Sequence, residues 1–379
     1  GLNTALLLGL VAAATAVLGT GLAWLVAGHE FPGRGVFAWA LLLPLAMPGY
    51  VLAVVFAGAL DFAGPLQSWL REALHPALRL PPIRSLGGAV LVLSLSLYPY
   101  VYLLARVAFE TAGARTLEAA QTLGLDRRAA FRHALLPLAR PAVAAGVGLV
   151  GMETLADFGV VAALNVDTFT TAIYRAWYGM FSLAAALQMA ALLALLALAG
   201  VWVERRLRGG RSFAGERPSG ALQRQPLTGG RAVAATSVAA GVLAVAFVQP
   251  MGQLLAWAAR HLATDLDARY WAFAARSVAL VHGYALRAER RGWVRGLGRV
   301  ATVGYAIPGT VLAVGLFAPV AALDNFLQAR FDAALGSAAP QLFLQGTLLT
   351  MFVAYLARFL AVGSGPVESG LARIHRNLD

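Results

Sequence analysis

Long apolar runs separated by short polar segments make up most of the chain. Because an apolar helix needs about 20 residues to cross a bilayer core about 30 Å thick, each long run is a candidate span. The period-two alternation of a closed barrel is not visible, so all of them are predicted to be helices. The pattern therefore predicts an all-α polytopic membrane protein. The predicted spans lie at 3–28, 36–60, 86–110, 138–163, 181–203, 232–258, 300–322 and 343–364, with a weaker one at 271–286.

One apolar sequence occurs twice in the chain. Residues 47–54 read MPGYVLAV, and residues 307–314 read IPGTVLAV. The shared Pro-Gly pair favours a tandem duplication over a chance likeness between two Ala- and Leu-rich helices. We therefore predict a first half at 1–209 with about five spans, a flexible Gly- and Arg-rich cytoplasmic linker at 210–230, and a second half at 231–379 with about four spans.

A polar, Arg-rich segment at 116–141 separates two of the apolar runs. Thr116 is predicted to cap a short helix, which puts Glu118 in the first turn, where the helix dipole favours a carboxylate. Gly124 is predicted to end this helix in a left-handed conformation, and Asp126 to cap the next one. These signals predict two short helices joined by a bend at the membrane surface.

Two prolines follow this bend. Pro137 and Pro141 are predicted to separate the second short helix from the apolar span that comes after it. An ordinary cytoplasmic loop with well-capped helices is the alternative that these residues leave open.

The same segment resembles the EAA loop of ABC importer permeases. Glu-Ala-Ala at 118–120, Gly at 124 and Leu-Pro at 136–137 occur in the order of that family. The resemblance implies the type I ABC importer transmembrane fold, here as a tandem-duplicated helical bundle. It also implies a transporter subunit that is not itself an enzyme. The residues it assigns to ATPase coupling are Glu118, Ala119, Ala120, Gly124, Arg127, Arg128, Leu136 and Pro137.

The resemblance also implies partners. In that family each permease half offers its EAA loop to one subunit of an ABC ATPase dimer, and a periplasmic substrate-binding protein delivers the cargo. ATP and Mg²⁺ belong to the partner ATPase, and no cofactor is expected on this chain. The printed sequence stops where such permeases continue into a second Glu-Ala-Ala. We therefore expect an incomplete second half, with the other loop supplied by a longer protein or by a second permease chain.

Composition excludes several classes of function. The 379 residues are 59% hydrophobic and 13% charged, and a mean hydropathy of +0.70 is too apolar for a soluble domain of this length. All 30 residues counted as Lys or Arg are Arg. Without a Lys there is no Walker A motif, so these residues are not a P-loop ATPase. Without a Cys they hold no disulfide framework or cysteine metal cluster.

The net charge of +12 is unevenly distributed. If the segment at 111–137 is cytoplasmic, alternating spans place most arginines on the cytoplasmic side, Arg205 and Arg290 among them. This distribution follows the positive-inside rule and supports that orientation. The resemblance to ABC importer permeases implies a multi-pass protein of the bacterial cytoplasmic (inner) membrane, in contact with the lipid bilayer. No nucleic acid is needed to explain the charge, because the basic stretch at 204–231 has a single aromatic residue, Phe213, for stacking on bases.

Two carboxylates interrupt the fourth apolar run. Glu153 and Asp157 are four positions apart, which predicts that they share one face of a helix. Acids within a membrane are costly, so we interpret both as candidates for the substrate pathway. An acid near the outer helix end that pairs with an Arg is the alternative.

The stretch at 151–177 resembles ferric-iron permeases more than sulfate permeases. Hard carboxylate oxygens suit a passing ferric ion, so ferric iron is the expected cargo. Thiamine, sulfate and polyamines remain alternatives, as does a secondary transporter driven by an ion gradient. The six His are scattered without ligand spacing, so no permanent metal site is expected. A membrane-embedded enzyme is disfavoured because no set of catalytic residues is visible.

Overall fold

The structure, a computed structural model, describes residues 1–208, 222–265 and 308–335 together with Leu344. These residues are almost entirely helical. The α-helices are α1 (Leu2–Gly28), α2 (Arg34–Ala40), α3 (Gly49–Leu60), α4 (Pro65–Ala73), α5 (Leu86–Thr122), α6 (Arg127–Ala130), α7 (Leu136–Ala156), α8 (Gly159–Ala163), α9 (Phe169–Tyr174), α10 (Leu183–Arg208), α11 (Gly229–Leu243), α12 (Gln249–Asp265) and α13 (Gly309–Leu335).

Shorter elements connect some of these helices. A 3₁₀ turn occupies Leu43–Ala46, and π-helical turns occupy Phe131–Leu135, Arg175–Gly179 and Ala244–Val248. Two strands of two residues each pair in parallel, with His29 opposite Gln225 and Glu30 opposite Pro226.

Seven helical stretches within the described residues are long and apolar enough to cross a membrane. The predicted span at 300–322 is helical from Gly309 onward in its described part. The predicted spans at 271–286 and 343–364 lie outside the described residues, apart from Leu344. The predicted spans that the structure confirms as membrane-length helices are 3–28, 86–110, 181–203 and 232–258.

The prediction of one continuous helix at 36–60 is wrong. The chain forms α2, the 3₁₀ turn and α3 instead, because Pro44 and Pro48 have no backbone N–H and interrupt the helical ladder. Because the helix is interrupted, the backbone carbonyls at the end of α2 need hydrogen-bond donors from outside their own helix. Helix α5 supplies two of them, since the Tyr98 hydroxyl donates to the carbonyl of Leu41 over 2.9 Å and the Tyr102 hydroxyl donates to that of Ala38 over 3.0 Å.

Arg106 completes this set of donors on α5. Its guanidinium donates to the carbonyl oxygen of Ala38 and forms an ion pair of 3.0 Å with Glu110. Tyr98 and Tyr102 are fully buried. Each unpaired backbone group in a bilayer core costs several kcal/mol, because no water is present to pair with it. The three side chains therefore make a broken segment compatible with the membrane.

Helix α5 also forms the centre of the apolar core, between α1 and α7. A side-chain carbon added to Gly19 of α1 would lie 2.9 Å from the carbonyl oxygen of Tyr98 and 2.7 Å from Cβ of Val101. One added to Gly146 of α7 would lie 2.8 Å from Cα of Val101. The two glycines let both neighbouring helices approach the backbone of α5, as small residues do at helix crossings in membranes.

Part of the predicted linker is packed against the helices. Leu222 is buried, and a side-chain carbon added to Gly113 would lie 3.1 Å from its Cδ1. The strand Gln225–Pro226 follows directly and pairs with His29–Glu30. Residues 222–228 thus differ from the flexible connection that their composition predicted, while 209–221 lie outside the described residues.

Contacts divide the chain into two compact units, Gly1–Thr171 with Leu198–Ala256, and Ala172–Ala197 with Trp257–Asp379. The first unit contains the core of α1, α5 and α7. Within the second unit, the rings of Trp177 and Phe317 meet edge to face at 5.0 Å. These units reflect packing, whereas the predicted halves at 1–209 and 231–379 rest on the sequence repeat and stay a prediction.

Replacing Gly19 by Leu is expected to destabilise the fold. The new side chain would meet the backbone of α5, and overpacking typically costs about 1–3 kcal/mol. Gly21→Leu is the matched control, because it lies on the same helix and a side-chain carbon there meets no atom within 4 Å. The measurement is the thermal unfolding midpoint of each purified variant in detergent. Equal midpoints for the two variants would contradict the close crossing of α1 and α5.

Candidate functional site

The first helix of the predicted coupling loop is the end of α5. The helix is continuous from Leu86 to Thr122, so the prediction that Thr116 caps a separate short helix is wrong. Glu118 consequently lies near the C-terminal end of a long helix, where the helix dipole does not favour a carboxylate. Helix α5 continues through this segment because Gly113 is the only Gly or Pro within 111–122. Gly113 does not end the helix, and it is packed against Leu222.

Gly124 ends this helix as predicted. Its φ of 87° is left-handed. The N–H of Gly124 donates to the carbonyl of Gln121 and the N–H of Leu125 donates to that of Ala120, which together form a Schellman motif. Asp126 then caps α6, because its Oδ1 accepts a hydrogen bond of 2.8 Å from the N–H of Ala129. Both local predictions are confirmed.

The end of α5 has a buried side and an exposed side. Leu117 and Ala120 are buried against the helical core. Glu118, Ala119 and Gly124 are exposed, and the exposed fraction of Leu123 reaches 84%. The turn therefore exposes the apolar side chain of Leu123 and the small side chain of Ala119, while Leu117 and Ala120 pack against the core. Of the predicted Glu-Ala-Ala, the structure leaves Glu118 and Ala119 accessible and places Ala120 inside.

Three aromatic rings fix the base of this turn. Trp24 of α1 stacks on Phe131 at 4.2 Å between ring centroids, and Phe109 of α5 meets both rings edge to face. We define Trp24, Phe109 and Phe131 as the aromatic cluster. Sequence reasoning missed these residues, because nothing in the spacing of three distant aromatics along the chain indicates that they meet.

Arg127 and Arg128 have different surroundings. Arg127 is half-buried, and its Nη2 donates to the carbonyls of Gly28 and Gln223 over 2.9 and 2.8 Å. It thereby ties the loop to the end of α1 and to the described part of the predicted linker. Arg128 is exposed. Of the two arginines, the structure places Arg128 at the surface of the loop and Arg127 within its supporting contacts.

The predicted separation at Pro137 and Pro141 is wrong. Residues 127–156 are helical throughout, with α6 passing into α7 through the π-helical turn Phe131–Leu135. Pro137 occupies the first turn of α7, where a missing N–H is tolerated, and Pro141 lies inside the helix. Leu136 and Pro137 are partly buried. They therefore connect the loop directly to a membrane-spanning helix.

Asp157 lies at the junction between α7 and α8. Helix α7 ends at Ala156, and Asp157 has extended backbone. Its Oδ1 accepts hydrogen bonds from the N–H groups of Val160 and Val161 over 3.0 and 3.2 Å, so the carboxylate caps α8. The prediction that Glu153 and Asp157 share one helix face is wrong, because the helix stops between them. Glu153 is partly buried in the last turn of α7.

The junction faces the start of α3. A side-chain carbon added to Gly49 would lie 3.1 Å from Cγ2 of Val160 and 4.0 Å from Oδ2 of Asp157, and one added to Gly159 would lie 2.6 Å from Cβ of Tyr50. Two interrupted helices thus meet at two glycines, with the Asp157 carboxylate beside them. Interrupted backbone at membrane depth occurs where it is buried in protein or lines a path, and transport proteins place binding groups at such breaks.

Comparisons with known proteins cover both the predicted coupling loop and the α7–α8 junction. Residues 18–209 match the family described as binding-protein-dependent transport system inner membrane component. The Fe(3+)-transport system permease protein FbpB 2 of Haemophilus influenzae is 27% identical over 207 residues, 55% of this chain and 37% of that protein. The sulfate transport system permease protein CysT of Salmonella typhimurium is 30% identical over 145 residues, 38% of this chain and 50% of that protein.

A third relative is matched over most of its length. The molybdenum transport system permease protein ModB of Escherichia coli is 30% identical over 206 residues, 52% of this chain and 86% of that protein. This chain therefore spans half or less of the iron and sulfate relatives but most of the molybdenum relative. The family match covers half of the chain and includes both the predicted coupling loop and the α7–α8 junction. This multi-pass inner membrane protein, with the type I ABC importer permease fold, therefore belongs to the binding-protein-dependent transport system inner membrane component family.

Proposed function

We propose that the chain is a permease subunit of an ATP-driven importer, and that the turn at 118–125 docks on a partner ATPase. The observation that carries the proposal is the exposed Leu123 on a turn whose base is fixed by the aromatic cluster. A large apolar side chain at 84% exposure is stabilised when a partner covers it. ATP and Mg²⁺ are bound by that partner, and this chain carries the motion into the membrane.

Helix α5 gives the coupling a physical route. Its C-terminal end forms the docking turn, and its Tyr98 and Tyr102 hold the broken segment between α2 and α3. A displacement of the turn by ATPase closure would therefore move the donors on which that break depends. Such a two-state element, biased by differential binding at each end, is what coupling between sites requires.

The turn is placed on the cytoplasmic side in this proposal. Arg127, Arg128 and Arg132 lie within one short segment, and the positive-inside rule favours the cytoplasm for such a cluster. The α7–α8 junction then lies toward the opposite side of the membrane, where a periplasmic binding protein would deliver cargo.

Ferric iron is the cargo that the side chains support. Asp157 and Glu153 place carboxylates at and near the meeting point of α3 and α8, and carboxylate oxygens are ligands that a hard cation prefers. A relative in Haemophilus influenzae is named as a ferric-iron permease. A second candidate cargo is an oxyanion, because other relatives are named for sulfate and molybdenum transport. Molybdate was not among the cargoes that the sequence alone indicated.

Reconstitution tests the whole proposal. The full-length permease and its ATPase are placed in liposomes, and ATP hydrolysis is measured with binding proteins that are empty or loaded with ferric iron, sulfate or molybdate. Stimulation by the ferric-loaded form alone is expected. Stimulation by an oxyanion-loaded form would keep the importer and replace the cargo, and an uptake driven by ion gradients without ATP would contradict the importer itself.

Gly124→Val is expected to abolish transport while the membrane protein still folds. A β-branched side chain is strained at a φ of 87°, so the turn must change shape, but it is exposed and contributes little to the core. Gly200→Val is the matched control, since Gly200 lies in α10 with no atom within 4 Å of an added side-chain carbon. Uptake and thermal unfolding are measured for both variants. Normal uptake by Gly124→Val would remove the coupling role from this turn.

Asp157→Asn distinguishes the two classes of cargo. Asparagine can still accept the hydrogen bonds from Val160 and Val161, so the cap of α8 survives while the negative charge is lost. Uptake of ferric iron is expected to fall by roughly tenfold or more, the effect of losing about 1.4 kcal/mol of favourable interaction. Asp157→Ala, which loses the cap as well, separates structural from electrostatic effects. Unchanged or faster uptake of an oxyanion by Asp157→Asn would contradict the iron proposal.

A further inference from the structure

A cavity of about 340 Å³ lies next to the coupling loop, within the first compact unit. It is formed where the end of α1 and the strand at 225–226 meet the start of α6 and of α11. Its volume is at the low end of the range for small-ligand pockets, about 300–1,000 Å³. Glu153 lies roughly 30 Å farther along the helix that contains Arg132, at about 1.5 Å per residue, so this cavity is separate from the transport acids.

The cavity wall concentrates positive charge. Four arginines line it, and the described residues that form the wall include no acid. Burial lowers the pKa of the neighbouring His29, and the charge of Arg127 acts in the same direction. The four lining arginines are Arg127, Arg128, Arg132 and Arg231.

Arg127, which lines the cavity, has an unpaired side-chain donor among the described residues. Its Nη2 donates to two backbone carbonyls, but its Nε is buried and has no hydrogen-bond partner within the described part of the chain. Buried donors are nearly always paired in folded proteins. An anion that enters the cavity would reduce the repulsion among the arginines.

Part of the remaining wall is apolar or aromatic. Trp24, Phe131 and Leu227 line the cavity beside the arginines. Tryptophan is enriched where membrane meets water, and basic pockets at that level bind anionic head groups. We propose that this cavity binds a phosphate or similar tetrahedral oxyanion, carried by an anionic phospholipid head group or free in the cytoplasm. The guanidinium forks of arginine match the oxygens of such a group.

A bound oxyanion would connect three elements that carry the docking turn. Arg127, Arg132 and Arg231 come from α6, the π-helical turn and α11, and one ligand contacting all three would hold the loop against the end of α1. The site does not depend on the cargo or on the ATPase. Its binding can therefore be measured on the permease alone.

The experiment compares two probes on the purified full chain. Native mass spectrometry measures retention of phosphatidylglycerol against phosphatidylcholine, and thermal unfolding in phosphatidylcholine nanodiscs measures stabilisation by inorganic phosphate. Arg132→Gln combined with Arg231→Gln is expected to weaken binding of the preferred probe by roughly tenfold or more, because hydrogen bonds to charged groups are lost. Arg115→Gln combined with Arg140→Gln removes equal charge from exposed positions outside the cavity and is expected to change nothing.

The outcomes separate the two sources of phosphate. Selective retention of phosphatidylglycerol that the cavity variant loses identifies a lipid head group, and stabilisation by free phosphate that the cavity variant loses identifies a soluble oxyanion. The proposal is overturned if wild-type protein prefers neither probe, or if both double variants lose binding equally. The wild-type comparison does not require either variant to fold.

Discussion

The pairing of α5 with the broken segment before α3 is the constraint on which the rest of the molecule depends. A bilayer core offers no water to a free carbonyl, so a helix interrupted at Pro44 and Pro48 needs donors from another part of the protein. Tyr98, Tyr102 and Arg106 provide them from one face of α5. The interruption is thereby tolerated, and its position relative to α5 is fixed.

The same helix reaches both ends of the proposed mechanism. Its C-terminal end closes in the Schellman motif at Gly124, and its middle holds the segment that leads into Gly49 and the α7–α8 junction. Helix α7 provides a second connection, since it begins directly after the π-helical turn and ends beside Asp157. Two helices thus extend from the loop that carries the exposed turn toward the region of the α7–α8 junction, and the aromatic cluster packs where α1, α5 and the π-helical turn meet.

Local rules predicted the parts of the site that depend on few residues. The left-handed Gly124 and the Asp126 cap follow from the conformational freedom of one residue and the reach of one side chain. Hydropathy likewise predicted the helical class and the four confirmed membrane spans. The errors at Thr116 and at 36–60 have different causes. At Thr116 the continuation of α5 outweighed the local cap signal, whereas at 36–60 the apolar pattern was followed although Pro44 and Pro48 interrupt the helix.

Contacts between distant residues were beyond the sequence. No spacing rule brings Trp24, Phe109 and Phe131 together, or pairs Arg127 with the carbonyls of Gly28 and Gln223. The end of α7 before Asp157 was also missed, because the apolar run continues through the junction without a proline. The charged residues could be found from the sequence, but the direction in which the fold places them could not.

Cross-linking at the exposed turn tests the central claim most directly. The 379 residues contain no Cys, so Leu123→Cys introduces a unique thiol at the most exposed apolar position of the turn. In the assembled transporter this thiol is predicted to cross-link to the ATPase and to change in yield when ATP is added. Leu192→Cys, on an exposed part of α10, serves as the control and is predicted not to react with the ATPase. A thiol at 123 that never reaches the ATPase, in a complex that transports, would contradict the account.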